Sequence, residues 1–178
     1  MLDNNLPSWR QDLKSSRKKE GKLHSNKWMQ LATVSEKNEP RLRTVVFRGW
    51  HKNSSMIIFT DRRSEKIRHL KSNPKAEILW FFLKTKSQYR FKGKISELSD
   101  NKNYWDSLSE KSKSSWFWES PGEKINPKVQ SAYKTLSNLP KSENFVVLNL
   151  EIDSVDLLKL EQPIHRLSLI HISEPTRL

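Results

Sequence analysis

A mainly β fold with inserted helices, closed or nearly closed into an antiparallel barrel, is predicted by three features of this 178-residue chain. Six or seven short β-type segments follow one another across turns rich in Asn, Lys, Ser and Pro. One of them, 88–98, sets Tyr89, Phe91 and Gly93 against Gln88, Arg90 and Lys92, the period-two signature of a strand with one face in a core. The helical stretches interrupt this series instead of alternating with it, which argues against a parallel α/β sheet.

The first element is a helix: Ser8-Trp9-Arg10-Gln11 has the form of a capping box, and Trp9 and Leu13 fall one turn apart. Trp28–Val34, 41–50 and 56–60 then read as an antiparallel meander, joined through Glu36-Lys37-Asn38-Glu39-Pro40 and His51-Lys52-Asn53-Ser54-Ser55. Ser64 is placed to cap a short helix running to about Lys71, with Ile67 and Leu70 on one face and Asn73-Pro74 ending it. The run 76–83 is almost wholly apolar, as a strand buried on both faces would be. After the turn 84–87 and strand 88–98, helical stretches around 101–108 and 127–136 flank Trp116-Phe117-Trp118, which closes on Pro121-Gly122. The segments 145–152 and 155–160 read as a final pair of strands, and there is no internal repeat.

The run Leu167-Ser168-Leu169-Ile170-His171-Ile172-Ser173-Glu174-Pro175-Thr176-Arg177 reads as the translation of a transposase-type sequencing adapter and is set aside from the fold as a non-native tail. The expected organisation is therefore a helix and lead-in over 1–27, a barrel cut short at its C-terminal side over 28–166, and the tail over 167–178.

Composition narrows the function classes. Lys and Arg number 33 against 20 Asp and Glu, a net +13 that favours phosphate, nucleic acid or an acidic surface without choosing among them. The absence of Cys excludes disulfides, thiolate metal sites and Cys nucleophiles. No apolar stretch approaches the ~20 residues a bilayer span requires. The stretch from Met1 to Glu20 lacks the apolar centre of a secretory signal, so a soluble cytoplasmic protein with no membrane partner is expected. Neither His24 nor His165 has metal-ligand spacing, and no Ser-His-Asp grouping is visible; no metal site is expected.

One constellation carries chemistry. Arg43 opens the second strand, Thr60 ends the third, and Ser64 and Lys66 sit at the first turn of the following helix, where free N–H groups and the helix dipole also favour an anion. Tight connections let these elements converge. Two cations and two hydroxyls suit a phosphate group, though they do not say what molecule carries it.

The runs Arg43-Thr44-Val45-Val46-Phe47-Arg48, Phe59-Thr60-Asp61-Arg62-Arg63-Ser64-Glu65-Lys66, Asn73-Pro74 and Gln88-Tyr89-Arg90-Phe91-Lys92-Gly93 resemble, in order and spacing, the pyridoxamine 5'-phosphate oxidase family. The resemblance extends from about Trp28 to Arg166. It is nearest to the flavin-binding subgroup with Thr-Asp-x-Arg-Ser-x-Lys and a later aromatic-Trp-x-x-Pro-Gly, matched by Phe117-Trp118-Glu119-Ser120-Pro121-Gly122. It implies an FMN-binding split β-barrel in which Arg43 and Lys66 hold the flavin phosphate and Thr60 and Ser64 are hydroxyl donors. The backbone of Thr44, Val45, Val46 and Phe47 would border the isoalloxazine ring, and Gln88 would bond its polar edge. A homodimer with FMN at the subunit interface is also implied, with Trp116 and Trp118 either on that surface or packed in their own core.

The chain departs from the better-known oxidases at several places. Glu65 stands where they have a second phosphate-binding Arg, and is expected to face solvent with Arg62 or Arg63 compensating. Arg48 replaces a Lys near the substrate, Leu108 replaces an Arg that clamps the substrate phosphate, and Leu158 replaces a flavin-contacting Trp. Arg48 and Arg166 are the candidates for the substrate's anionic group. The implied activity is that of an FMN-dependent oxidoreductase: a small phosphorylated or anionic substrate passes hydride to flavin N5, and dioxygen reoxidises the flavin. The competing class is a basic barrel for single-stranded nucleic acid. The compact placement of Arg43 and Lys66 favours one phosphate over a backbone track, so no nucleic-acid partner is expected. A split-barrel flavin reductase or haem-linked protein stays open.

Overall fold

The computed structural model describes residues 6–52, 54–117, 139–160 and 166–171. Seven strands are present there: β1 Trp28–Val34, β2 Pro40–His51, β3 Ser55–Asp61, β4 Lys75–Phe82, β5 Ser87–Glu97, β6 Phe145–Lys159 and β7 Arg166–His171. The helices are α1 Ser8–Glu20, α2 Glu65–Ser72, α3 Lys102–Asp106 and α4 Glu110–Ser114.

Six strands close on themselves in the order β1-β2-β3-β6-β5-β4, every neighbouring pair antiparallel, with β7 added outside on β6. Closure gives those six strands hydrogen-bonded neighbours on both sides, the arrangement that protects strand edges from stray pairing. Period-two alternation sends Met29, Leu31, Phe47, Met56, Ile58, Ile78, Trp80, Phe82, Tyr89 and Phe91 into one buried core. A smaller cluster forms on the outer face, where Ile57, Phe145 and Val147 meet Trp105 of α3.

The helices close the two ends of the barrel. α1 lays Trp9 and Leu13, both essentially inaccessible, over the end where β2 finishes and β5 begins. Trp9 packs on Phe91 and Trp50 with ring centroids 5.6 and 5.7 Å apart, and Ser16 bonds the Tyr89 hydroxyl at 2.9 Å. α2 places Ile67 and Leu70 in the core at the opposite end, where β1 and β3 finish and β2 and β4 begin. No described helix is long and apolar enough to cross a membrane.

The structure departs from the sequence reading at several points. α1 starts one residue early: Pro7 is the N-cap and its carbonyl accepts from Arg10 N, so Ser8 is already helical and no capping box forms. Ser64 does occupy the N-cap of α2, but its hydroxyl does not cap the helix. β4 is buried on one face only; Phe81 and Leu79 point outward while Ile78, Trp80 and Phe82 face the core. The expected final strand pair is one continuous strand, β6. The register shifts between Lys92–Ser154 and Gly93–Ile152, so Asp153 is absorbed as a bulge and not as a turn. Gly93 is required there, since a Cβ would lie 1.9 Å from the Glu151 carbonyl oxygen. α4 was not foreseen, and Trp116 packs within the chain against Phe145 at 4.9 Å. The helix expected at 127–136, Trp118 and Pro121-Gly122 lie outside the described residues. Residues 167–171, set aside as tail, continue from Arg166 as β7 and pair with β6; a backbone ladder accepts many sequences of suitable extended form.

Candidate functional site

A gap between two strands builds the site. β2 and β3 pair from His51–Ser55 to Phe47–Ile58 and no further. Beyond that point β3 continues through Phe59, Thr60 and Asp61 with β6, while Thr44, Val45 and Val46 pair only with β1. The barrel is therefore split between 44–46 and 59–61, and the β3-facing edge of β2 lacks a ladder partner over those residues. A bulge at Arg48 marks the closed end of the split, where Gly49 adopts φ 141, a conformation that disfavours any side chain.

At the open end, toward α2, the predicted phosphate residues converge. Arg43 has the inward parity of Val45 and Phe47, and its Nη1 donates to Thr33 Oγ1 at 2.6 Å and to the Leu31 carbonyl at 3.3 Å. Its Nη2 lies 3.5 Å from His69 Nδ1, which is itself 3.2 Å from Thr33 Oγ1. From α2, Lys66 Nζ donates to Thr60 Oγ1 at 2.9 Å, and Thr60 Oγ1 is 3.2 Å from Ser64 Oγ. Ser64 Oγ donates to the Asp61 carbonyl at 2.7 Å.

The electrostatics of this end are unbalanced. Burial holds the Lys66 ammonium below its ordinary pKa, and the neighbouring Arg43 guanidinium pushes it the same way; Asp61 and Glu65 oppose them. Burial likewise lowers Arg43, with Glu65 opposing and Arg41 assisting. Among the described residues no carboxylate lies within ion-pair distance of either cation. Two partly desolvated like charges without a counter-ion are costly unless an anion joins them.

Glu65 is solvent-exposed, as expected from its departure. The expected compensation by Arg62 or Arg63 is absent: Arg62 pairs with Glu97, and Arg63 is gripped by the Asp61 carboxylate through its backbone N–H and guanidinium. Both carboxylates are nearer and already placed, so these arginines are drawn away from Lys66.

Three other predicted residues do not join this cluster within one chain. Gln88 sits on the outward face at the α1 end, between Phe81 of β4 and Leu158 of β6, three strands round the barrel from β2. Arg48 stands at the closed end of the split with its guanidinium 5.2 Å from the Phe59 ring centroid, and burial lowers its pKa. The backbone of Arg166 pairs with Lys159 in β7, away from α2. Thr33 and His69, by contrast, belong to the cluster and were not singled out from sequence. Their signals were a Thr of inward parity at the end of β1, and a His three residues after Lys66 on a short helix.

With this geometry in place, comparison with known proteins is informative. Residues 6–99 match the family model described as the pyridoxamine 5'-phosphate oxidase FMN-binding domain. The chain is 32% identical over 173 residues to pyridoxine/pyridoxamine 5'-phosphate oxidase 2 of Arabidopsis thaliana, an alignment covering 90% of this chain and 87% of that one. A pyridoxine/pyridoxamine 5'-phosphate oxidase of Rippkaea orientalis is 32% identical over 76 residues, covering 43% of this chain and 35% of the relative. Among solved structures, a pyridoxamine 5'-phosphate oxidase-related FMN-binding protein of Nostoc punctiforme superposes with a TM-score of 0.83 at 27% identity, covering 96% of this chain and 94% of its own. PhzG from Burkholderia lata shares the fold, with a TM-score of 0.70 at 17% identity over 92% of this chain and 88% of its own.

Proposed function

The chain belongs to the pyridoxamine 5'-phosphate oxidase family of FMN-binding domains, and from that membership we propose that it is an FMN-dependent oxidoreductase holding the flavin along the split between β2 and β3. The observation that carries this reading is the Arg43–Lys66 pair: two partly buried cations, with Thr60 and Ser64 hydroxyls beside them and no carboxylate counter-ion among the described residues. A flavin phosphate supplies the missing charge, aided by the first turn of α2. Rotation of the Thr60 and Ser64 hydroxyls toward that phosphate adds two donors. The unpaired edge of Thr44, Val45 and Val46 offers backbone groups to the polar rim of the ring.

When bound, FMN supplies two-electron hydride chemistry. The chain's own residues bind, orient and shield. Arg43 and Lys66 fix the phosphate end, and Arg48, five residues and about 17 Å along β2, presents a partly desolvated cation at the other end for the anionic group of a small substrate. Gln88 would reach the ring only from a second copy. The exposure of Trp28 (52%), Phe81 (37%) and Leu83 (72%) on the outer face favours such a homodimer, with each site completed across the interface. Arg166 would join the substrate side through the same assembly, and the site of action would be the cytoplasm.

The test is a visible spectrum of protein incubated with FMN and desalted, beside the Lys66→Ala variant. Flavin bands in the parent that are lost in the folded variant support the reading; equal retention by both removes Lys66 from the phosphate site.

A further inference from the structure

We infer that His69 is a positioning residue for the anion site: as a neutral imidazole with an unprotonated Nδ1, it accepts from Arg43 and Thr33 and thereby sets the direction of the Arg43 guanidinium. This rests on the flavin reading above for its functional consequence, though not for its geometry.

An arginine guanidinium has only N–H groups to offer, so the Nη2 that stands 3.5 Å from His69 Nδ1 needs a lone pair there. Thr33 Oγ1 uses one lone pair to accept from Arg43 Nη1 at 2.6 Å, and its own proton then has His69 Nδ1 at 3.2 Å as acceptor. The guanidinium contact sets the demand on that nitrogen, and the Thr33 hydroxyl, whose contact alone would suit either tautomer, shares the same lone pair. The imidazole satisfies that demand only as the tautomer with its proton on Nε2. The resulting triangle ties β1, β2 and α2 together at Arg43.

Burial makes the contact consequential. His69 is 2% exposed and Thr33 2%, so neither can replace a lost partner with bulk water. The Arg43 guanidinium carries a charge that burial opposes, and a fixed acceptor beside it limits the rotamers available when an anion arrives. A fork directed by Thr33, the Leu31 carbonyl and His69 is preorganised; a fork without His69 is held by Nη1 alone. The carboxylates in the surrounding recess do not substitute for the imidazole: Glu36 pairs with Arg68, Glu39 pairs with Arg41, and Glu65 is exposed.

The experiment uses the full chain with His69→Leu, which fills the site without an acceptor, and His69→Gln, whose amide oxygen restores one. The probe is FMN, titrated by quenching of its fluorescence, with thermal unfolding to establish that both variants fold. The expected result is affinity about tenfold weaker in His69→Leu and within about twofold of the parent in His69→Gln, the scale of one hydrogen bond to a charged group. Parental affinity in both variants, or equal loss in both while folded, overturns the inference. The 15N shifts of the His69 ring judge the geometry separately: an unprotonated Nδ1 with a protonated Nε2 is expected, and a proton on Nδ1 overturns it. A parent that binds no FMN defeats the flavin reading, and the ring shifts still decide whether His69 accepts from Arg43.

Discussion

The two ends of this barrel use arginine and lysine in opposite ways. At the end closed by α1, cations lie on aromatic faces: Arg10 is 3.6 Å from the Trp50 ring centroid, and Arg17 stands 4.7 Å from that of Phe47 and 5.1 Å from that of Trp80. Burial lowers the pKa of both, yet the rings beneath them offer an electrostatic partner. At the end closed by α2, Arg43 and Lys66 are also partly desolvated, but their partners are neutral oxygens and one imidazole nitrogen. Desolvation alone does not therefore mark a ligand site in this protein. Arg10 and Arg17 also repel each other; what distinguishes the α2 end is that its two cations stand among hydroxyls at a helix start, with no carboxylate within ion-pair distance among the described residues. One end is a core with charged edges; the other sets two cations side by side, which the proposed function reads as a phosphate site.

That contrast can be broken by substitutions that should act on one end only. The largest effect is expected from Trp9→Ala, which removes a ring packed on Phe91 and Trp50; unfolding in urea should register a loss of about 3–5 kcal/mol, with the FMN affinity of the remaining folded protein unchanged. If affinity falls in proportion, the ends are coupled and the division is wrong. Next is Arg43→Met, which keeps the stem and removes the charge. FMN affinity should fall on the order of 100-fold, the scale of a charge-assisted contact, in a variant that thermal unfolding shows to be folded without FMN.

The smallest effect sharpens the comparison. Because the folded state holds Lys66 below its ordinary pKa of 10.5, the unfolded chain binds more protons in the interval just beneath that value. Flavin-free protein should therefore gain stability from Lys66 as pH rises through that interval. Bound FMN brings a phosphate that favours the charged ammonium, so the gain should vanish in its presence. Thermal unfolding across the alkaline range with and without FMN measures this, and the Lys66→Met variant should show no such difference.

Much of the fold was legible because its signals are local. The alternation of Tyr89, Phe91 and Gly93, the apolar pair Ile67 and Leu70 on α2, and Asn73-Pro74 as its stop each depend on a few neighbouring residues, and the structure keeps them. The errors fall where a distant element decides. Phe81 looked buried because its sequence neighbours are apolar, but no described layer covers the outer face of β4. Asp153 and Ser154 looked like a turn, yet Ser154 pairs with Lys92 and Ile152 with Gly93, so the ladder absorbs Asp153 alone as a bulge. Ser8 looked like a cap until Pro7 supplied the helix entry.

The candidate site divides along the same line. Arg43, Thr60, Ser64 and Lys66 could be grouped from sequence because short connections join their elements and little chain entropy separates them. Thr33 and His69 could not, since a buried hydroxyl and a single histidine acquire meaning only from what the fold sets against them. The separation of Gln88 from Arg43 was equally invisible, being a matter of how many strands lie between them. By itself, then, the sequence determined the strands, their inward faces and the cations near a helix start, because side-chain period and turn chemistry act over a few residues. Where the barrel splits, which cations lack a counter-charge and which histidine stands beside Arg43 were decided by tertiary structure alone, because each depends on registers and burial that only closure of the sheet defines.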